Sequence, residues 1–79
     1  MAAEADNEIV RIVREEFAKY IDRAFGDEES FQRDLQLTSD DLTAIALEVE
    51  KKLRVKIDRR AYRTVNTIAD YVQLLQKHR

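Results

Sequence analysis

Apolar residues recur every three or four positions along most of the chain, which is the spacing of amphipathic helices. The first such run is formed by Ile9, Ile12, Val13, Phe17, Tyr20, Ile21 and Ala24. It predicts a helix from about Asn7 to about Ala24. Gly26 suits the stop of that helix, because glycine tolerates the left-handed backbone in which many helices end.

A second helix is predicted to begin after Ser39 and to end near Leu53. Its inner face is formed by Leu42, Ile45, Val49 and Leu53. Thr38 or Ser39 can cap it by accepting hydrogen bonds from the free backbone amides of the first turn. Between the two helices, residues 27–38 are expected to form a long connection that Phe31, Leu35 and Leu37 anchor by burial.

The last third of the chain predicts two further helices. Val55 and Ile57 alternate with basic residues, but with no partner strand in view we expect an extended connector there. Asp58 can cap a short helix over residues 59–63. A final helix is predicted by Ile68, Val72 and Leu75, which repeat at helical spacing with Tyr71 nearby, and residues 64–67 offer several capping side chains for it.

These elements predict an all-α fold, a four-helix bundle with three longer helices and one short third helix. The absence of proline and the single glycine agree with it. The 79 residues suffice for a single domain, residues 1–79, with flexible ends at about 1–6 and 77–79. A core of this size supplies only about 3–5 kcal/mol of stability.

Composition narrows the classes of function. The chain has no cysteine, so it has neither disulfides nor a thiolate metal site, and its acidic residues do not follow the spacing of a calcium loop. No apolar run reaches the ~20 residues that span a bilayer, and the acidic N-terminus does not resemble a secretory signal. We therefore expect a cytoplasmic protein without membrane contact or a dedicated metal site.

The net charge of −2 conceals two oppositely charged segments. Residues 27–50 contain eight acids and one base, whereas residues 51–63 contain seven bases and one acid. Such segregation favours oriented docking onto a charged partner, and two solvated faces would produce the same pattern. His78 is the only histidine and lies at the chain end, so nothing in the sequence suggests nucleophilic catalysis.

One stretch of the chain resembles a known family. Asp34-Leu35, Leu37, Ser39 and Asp41-Leu42, followed by the alternating Val55-Lys56-Ile57, match without a gap the pattern around the modified serine of acyl carrier proteins. Thr64-Val65 and Ile68-Ala69-Asp70-Tyr71-Val72 are similar to the start of that family's last helix. The looser resemblance extends from about Ile9 to Leu75.

The resemblance implies that Ser39 carries 4′-phosphopantetheine, delivered by a holo-carrier synthase or another phosphopantetheinyl transferase. Acyl or related intermediates would then ride on this arm as thioesters, in fatty acid, polyketide or other lipid metabolism. Such a carrier is not an enzyme. It is expected to be a monomer that docks with acyl-transferring or acyl-activating enzymes and not with nucleic acid. Its recognition surface would be formed by Asp40, Asp41, Leu42, Arg59, Arg60 and Arg63.

Two departures from the family pattern point to a specialised carrier. The family's Asp-Ser-Leu is Thr38-Ser39-Asp40 here, which removes an acid before the serine and an apolar contact after it. Ala44 and Lys51 also stand where relatives usually have acids, and the predicted short helix is basic. Because charge matching largely determines which partner docks, these changes imply dedicated partners in a special lipid or secondary-metabolite pathway.

Two alternatives to the carrier remain open from the sequence. Taken by itself, a serine followed by acids is more typical of a plain helix cap without modification, and only the surrounding match favours attachment of the arm. The chain would then be an adaptor that binds proteins through the same helices. A third hypothesis is a nucleic-acid-binding domain acting through residues 51–63, which the overall acidity and the lack of interleaved exposed aromatic residues disfavour.

Overall fold

A computed structural model describes the backbone of residues 2–78 and the side chains of residues 8–78. In this part of the chain there are four helices and no strand: α1 (Ala2–Ala18), α2 (Ser39–Leu53), a 3-10 helix (Arg59–Thr64) and α3 (Ile68–His78). The prediction of an all-α protein is confirmed. Residues 2–6 lie in α1 and residues 77–78 in α3, whereas Met1 and Arg79 are outside the described residues.

The predicted extent of the first helix is wrong at both ends. α1 begins at Ala2 and ends at Ala18, six residues before the expected stop, and Gly26 does not terminate it. The amides of Lys19 and Tyr20 bond to carbonyls three residues back, which tightens and closes the last turn. Beyond it, the Arg23 guanidinium donates to the carbonyls of Ala24 and Asp34.

Arg23 and Glu29 hold the first part of the long connection in a non-helical path. The Arg23 guanidinium donates to Glu29 at 2.7 Å, and the Gly26 amide donates to the same carboxylate at 2.7 Å. These two contacts, with Arg23 the stronger influence, hold the pKa of Glu29 below its usual range. Local polar contacts thus override the apolar period, which continues to Ala24 although Ala24 is exposed.

The second part of the connection is anchored as the sequence predicts, by burial of Phe31, Leu35 and Leu37. The Phe31 amide donates to the Asn66 carbonyl at 2.8 Å, so the connection also pairs with the backbone just before α3. Gln36 is exposed and adopts a left-handed φ of 55°. This bend allows the leucines on either side of it to be buried together.

The remaining elements follow the predicted order. α2 begins at Ser39, one residue earlier than expected, and ends at Leu53 as expected; its C-cap Arg54 has a left-handed φ of 57°. The connector after it is neither helix nor strand, and Asp58, which is extended, caps the 3-10 helix by accepting from the Arg60 amide at 2.9 Å. Thr67 caps α3 by accepting from the Asp70 amide at 3.1 Å.

Four aromatic rings pack in sequence through the centre of the bundle, and we call them the aromatic column. Phe31 stacks on Phe17 with ring centroids 4.9 Å apart, and Phe17 meets Tyr71 edge to face at 6.4 Å. Tyr71 in turn meets Tyr62 edge to face at 5.6 Å. The column therefore joins the connection, α1, α3 and the 3-10 helix.

Glu16 is the one charged residue buried among the described side chains. Lys52 of α2 donates to its carboxylate at 2.5 Å and Lys19 at 3.1 Å. The Lys52 hydrogen bond is the main reason why the pKa of Glu16 lies below its usual value of 4.5. The carboxylate thus links α1 to α2 at the edge of the core.

No helix in residues 2–78 is both long enough and apolar enough to cross a membrane.

Truncating the aromatic column is expected to remove most of the stability of the domain. Phe31→Ala should lower the free energy of unfolding by about 3–5 kcal/mol, the usual cost of deleting a buried phenylalanine. Urea unfolding followed by circular dichroism measures this. The exposed neighbour provides the control, since Gln32→Ala should change the value by less than about 0.5 kcal/mol. Equal effects of the two substitutions would contradict the column's role.

The Glu16 contact predicts an acid-sensitive contribution to stability. Because its pKa is lower in the folded than in the unfolded chain, the contribution is present above pH 4.5 and is lost as the pH falls through the folded pKa. Glu16→Gln should cost about 1–3 kcal/mol at pH 7 and reduce the loss of stability on acidification. Glu15→Gln, with the same charge change in an exposed pair, should cost less than about 1 kcal/mol. Unfolding curves at pH 7 and below pH 4.5 test this. Equal acid dependence in wild type and Glu16→Gln would refute it.

Candidate functional site

The start of α2 is closed by a reciprocal pair of hydrogen bonds. The Thr38 hydroxyl accepts from the Asp41 amide at 3.1 Å, and the Asp41 carboxylate accepts from the Thr38 amide at 3.1 Å. This is a capping box, which satisfies backbone groups that the first turn leaves free. Of the two hydroxyl residues that could cap α2, Thr38 is the one that does so.

Ser39 is the first residue of α2 and its side chain is exposed. Its hydroxyl has no hydrogen-bond partner among residues 8–78; its carbonyl accepts from the Thr43 hydroxyl at 2.9 Å. The amides of Ser39 and Asp40 also lack partners within this part of the chain. The helix start therefore presents an unengaged hydroxyl beside two backbone N–H groups that face the same end of the helix dipole.

The other residues predicted at this end have different environments. Asp40 is exposed, and its carboxylate forms no hydrogen bond or ion pair with any described residue. Asp41 is half-buried and its carboxylate is occupied by the capping box. Leu42 is half-buried against the core. Only Ser39 and Asp40 are thus fully open to a docking protein.

The three predicted arginines are all exposed on the 3-10 helix. Arg60 lies 3.7 Å from the Asp58 carboxylate, whereas Arg59 and Arg63 have no ion-pair partner among the described residues. Surface pairs of this kind contribute little to stability. The charges of this helix are therefore available for contact with another molecule.

A cavity of about 410 Å³ lies between α2, the 3-10 helix and α3. The aromatic column lines it together with other residues, namely Leu42, Thr43, Ala46, Leu47, Glu50, Lys56, Ile57, Arg59 and Val65. Leu42 and Thr43 lie about one helical turn from Ser39, so the cavity is close to the exposed hydroxyl. Leu47 is 64% exposed and is the most exposed large apolar residue in the described part of the chain.

Glu50, Tyr62 and Tyr71 form a hydrogen-bonded chain in the cavity lining. Glu50 accepts from the Ile57 amide at 3.0 Å and from the Tyr62 hydroxyl at 2.9 Å. The Tyr62 and Tyr71 oxygens are 3.3 Å apart. Burial raises the pKa of Tyr71 to about 12 and raises that of Tyr62 further, so both phenols are neutral at pH 7.

The sequence pattern does not indicate that Glu50, Tyr62 and Tyr71 form a site. The apolar pattern places Tyr71 only in the last predicted helix, and Glu50 is only one of the eight acids of residues 27–50. A signal does exist for Glu50, because Thr43, Ala46 and Glu50 recur at helical spacing on the cavity side of α2. A period search restricted to apolar residues overlooks a carboxylate on that face.

In residues 8–78 no group of three histidine, cysteine or acidic residues could hold a metal ion. Comparisons with protein families, with curated proteins and with solved structures found no match for the chain.

The capping geometry predicts different roles for two adjacent hydroxyls. Thr38→Ala removes the acceptor for the Asp41 amide and should lower the free energy of unfolding by about 1 kcal/mol. Ser39→Ala removes a hydroxyl without a partner and should change it by less than about 0.5 kcal/mol. Thermal and urea unfolding of the two variants test this. A larger loss for Ser39→Ala than for Thr38→Ala would mean that Ser39 is the structural cap.

Proposed function

We propose that this chain is a carrier domain that receives 4′-phosphopantetheine on Ser39 and carries acyl or related groups as thioesters on that arm. The observation that carries the proposal is the Ser39 hydroxyl, which is exposed and forms no hydrogen bond with residues 8–78 although it stands at a helix start. The structural role that would explain a serine here belongs to Thr38. Modification of Ser39 therefore disturbs no contact of the fold.

The surroundings of Ser39 fit the chemistry of the group. Attachment joins the serine oxygen to the phosphorus of the pantetheine phosphate of coenzyme A, and adenosine 3′,5′-bisphosphate leaves. The resulting phosphodiester carries a negative charge, which the free amides of Ser39 and Asp40 and the helix dipole favour. The reactive thiol comes with the group, so a chain without cysteine can serve as the carrier.

The structure also explains the threonine that precedes the serine. Aspartate and threonine are both good helix caps, so Thr38 retains the capping bond while it removes a negative charge beside Ser39. Asp41 supplies the acid of the capping box from within the first turn. The departure from the family pattern thus moves the adjacent acid from before the serine to after it, at Asp40, and keeps a capping side chain at position 38.

The exposed charges of the 3-10 helix support dedicated partners. Arg59, Arg60 and Arg63 present positive charge on the surface next to the cavity. Charge complementarity affects the association rate and the choice of partner. A transferase or acyl-activating enzyme with an acidic docking surface would suit this chain better than one with a basic surface.

A second candidate function, an unmodified adaptor, is favoured by Leu47. Its exposed side chain on α2 lines the cavity together with Arg59 of the basic 3-10 helix. An apolar residue beside positive charge is a common arrangement for a protein-binding surface.

Mass spectrometry of the intact protein distinguishes the two functions. Incubation with coenzyme A and a broad-range phosphopantetheinyl transferase should add the mass of one phosphopantetheine. Ser39→Ala should abolish the addition. The chain has one other serine, and Ser30→Ala should leave the addition unchanged, because Ser30 is half-buried and accepts a bond from the Arg33 amide. No addition with broad-range transferases or with the transferase of the source cell would favour the adaptor.

A further inference from the structure

The hydrogen-bonded chain of Glu50, Tyr62 and Tyr71 has a fixed direction, which follows from counting its protons. Each phenol has one proton to donate, and an ionised carboxylate has none. Tyr62 donates its proton to Glu50, so in the contact between the two phenols Tyr71 must be the donor. The Ile57 amide donates to the other carboxylate oxygen. The hydroxyl protons of Tyr62 and Tyr71 are therefore both already donated.

The three hydrogen-bonded side chains still offer lone pairs to the cavity. The carboxylate oxygens and both phenol oxygens can accept further hydrogen bonds, but none of these groups has a proton left to give. An apolar ligand in contact with these oxygens would remove them from water without replacement, at a cost. A ligand that complements the cavity must bring hydrogen-bond donors.

The charge of the three hydrogen-bonded side chains narrows the choice of hydrogen-bond donor on the ligand. Both phenols are neutral at pH 7, so the carboxylate of Glu50 is the only formal charge among the three. Glu50 forms no ion pair among the described residues. Lys56 and Arg59 also line the cavity, but their side chains are exposed and remain in water. A cation inside the cavity would therefore meet an unpaired carboxylate.

The aromatic column adds a second attraction for a cation. Phe17, Phe31, Tyr62 and Tyr71 all line the cavity, and ring faces attract ammonium groups. A volume of about 410 Å³ lies in the lower part of the range for small-molecule sites, so the ligand must be small.

We propose that this cavity binds a primary ammonium group on a short apolar body, with the ammonium at Glu50 and the body against the aromatic column. The cavity's preference stands independently of the arm. If the ligand is the group that the protein carries on Ser39, that group is aminoacyl, and this assignment of the cargo rests on the proposed function. Leu42 and Thr43 line the cavity one turn from Ser39, so a cargo on that residue enters from nearby.

Free ligands test the site without any modification of Ser39. The unmodified protein is titrated with hexylammonium chloride, 1-hexanol and sodium hexanoate at pH 7, and backbone amide shifts are followed by NMR. Hexylammonium should bind about tenfold more tightly than hexanol, the usual effect of one hydrogen bond to a charged group, and hexanoate should bind most weakly. The shifts should centre on Thr43, Ala46 and Ile57. Equal affinity for the ammonium compound and the alcohol would overturn the proposal.

Matched variants locate the binding group. Glu50→Gln should weaken hexylammonium binding about tenfold, whereas Glu48→Gln, an exposed position on the same helix, should leave it unchanged. Tyr71→Phe keeps the ring and should weaken binding a few-fold, with Tyr20→Phe as its exposed control. If Glu50→Gln does not fold, Tyr71→Phe decides the matter. Equal loss in a variant and its control would refute the site.

Loading of the arm tests the cargo separately. Protein carrying an aminohexanoyl arm on Ser39 should show the amide shifts seen with hexylammonium, and protein carrying a hexanoyl arm should not. If the free ligand binds but the two loaded forms are alike, the cargo assignment is wrong and the cavity's preference stands. If no arm can be attached, the proposed function fails, while the free-ligand titration still decides the site.

Discussion

The packing of Phe17 between Phe31 and Tyr71 is the contact on which the rest of the structure depends. Phe17 stacks on Phe31 at 4.9 Å and meets Tyr71 edge to face at 6.4 Å. These three rings come from α1, the long connection and α3, so their packing joins α1 to two segments that otherwise meet through backbone bonds such as Phe31 to Asn66. In a domain with only about 3–5 kcal/mol of stability, such a contact determines whether the connection is ordered.

Order in the connection is also what positions the candidate site. Burial of Leu35 and Leu37 brings the chain to Thr38 in an extended conformation, with a φ of −84° and a ψ of 167°. Thr38 then caps α2, and Ser39 becomes the first helical residue with its hydroxyl in water. The exposure of Ser39 is therefore a consequence of packing some distance along the chain, and the serine itself contributes little to it.

Apolar spacing predicts most of this architecture, because α1, α2 and α3 each bury an apolar face, whereas the 3-10 helix, which has no buried residue, is indicated by its cap Asp58. It fails where polar contacts decide. The guanidinium of Arg23 turns the chain away from a helix whose apolar pattern continues, and spacing does not reveal that contact. Likewise, either Thr38 or Ser39 suits a cap, and only the register of the first turn selects between them. The polar chain in the cavity assembles from three separate elements.

The same reasoning explains why the acidic run does not act as one charged face. Glu29 and Asp34 hold backbone amides of the connection, Asp41 completes the capping box, and Glu50 holds the Ile57 amide inside the cavity. The basic run differs, because Lys56, Arg59 and Arg63 have no partner among the described residues. Lys56 and Arg59 are the exposed bases that line the cavity, and Glu50 is the one carboxylate among its lining residues. A cationic group that entered the cavity would leave water, pass exposed bases and reach a carboxylate that has no ion pair. The preference of this site for a cation would therefore depend on the contact with Glu50 in the desolvated cavity and not on long-range attraction.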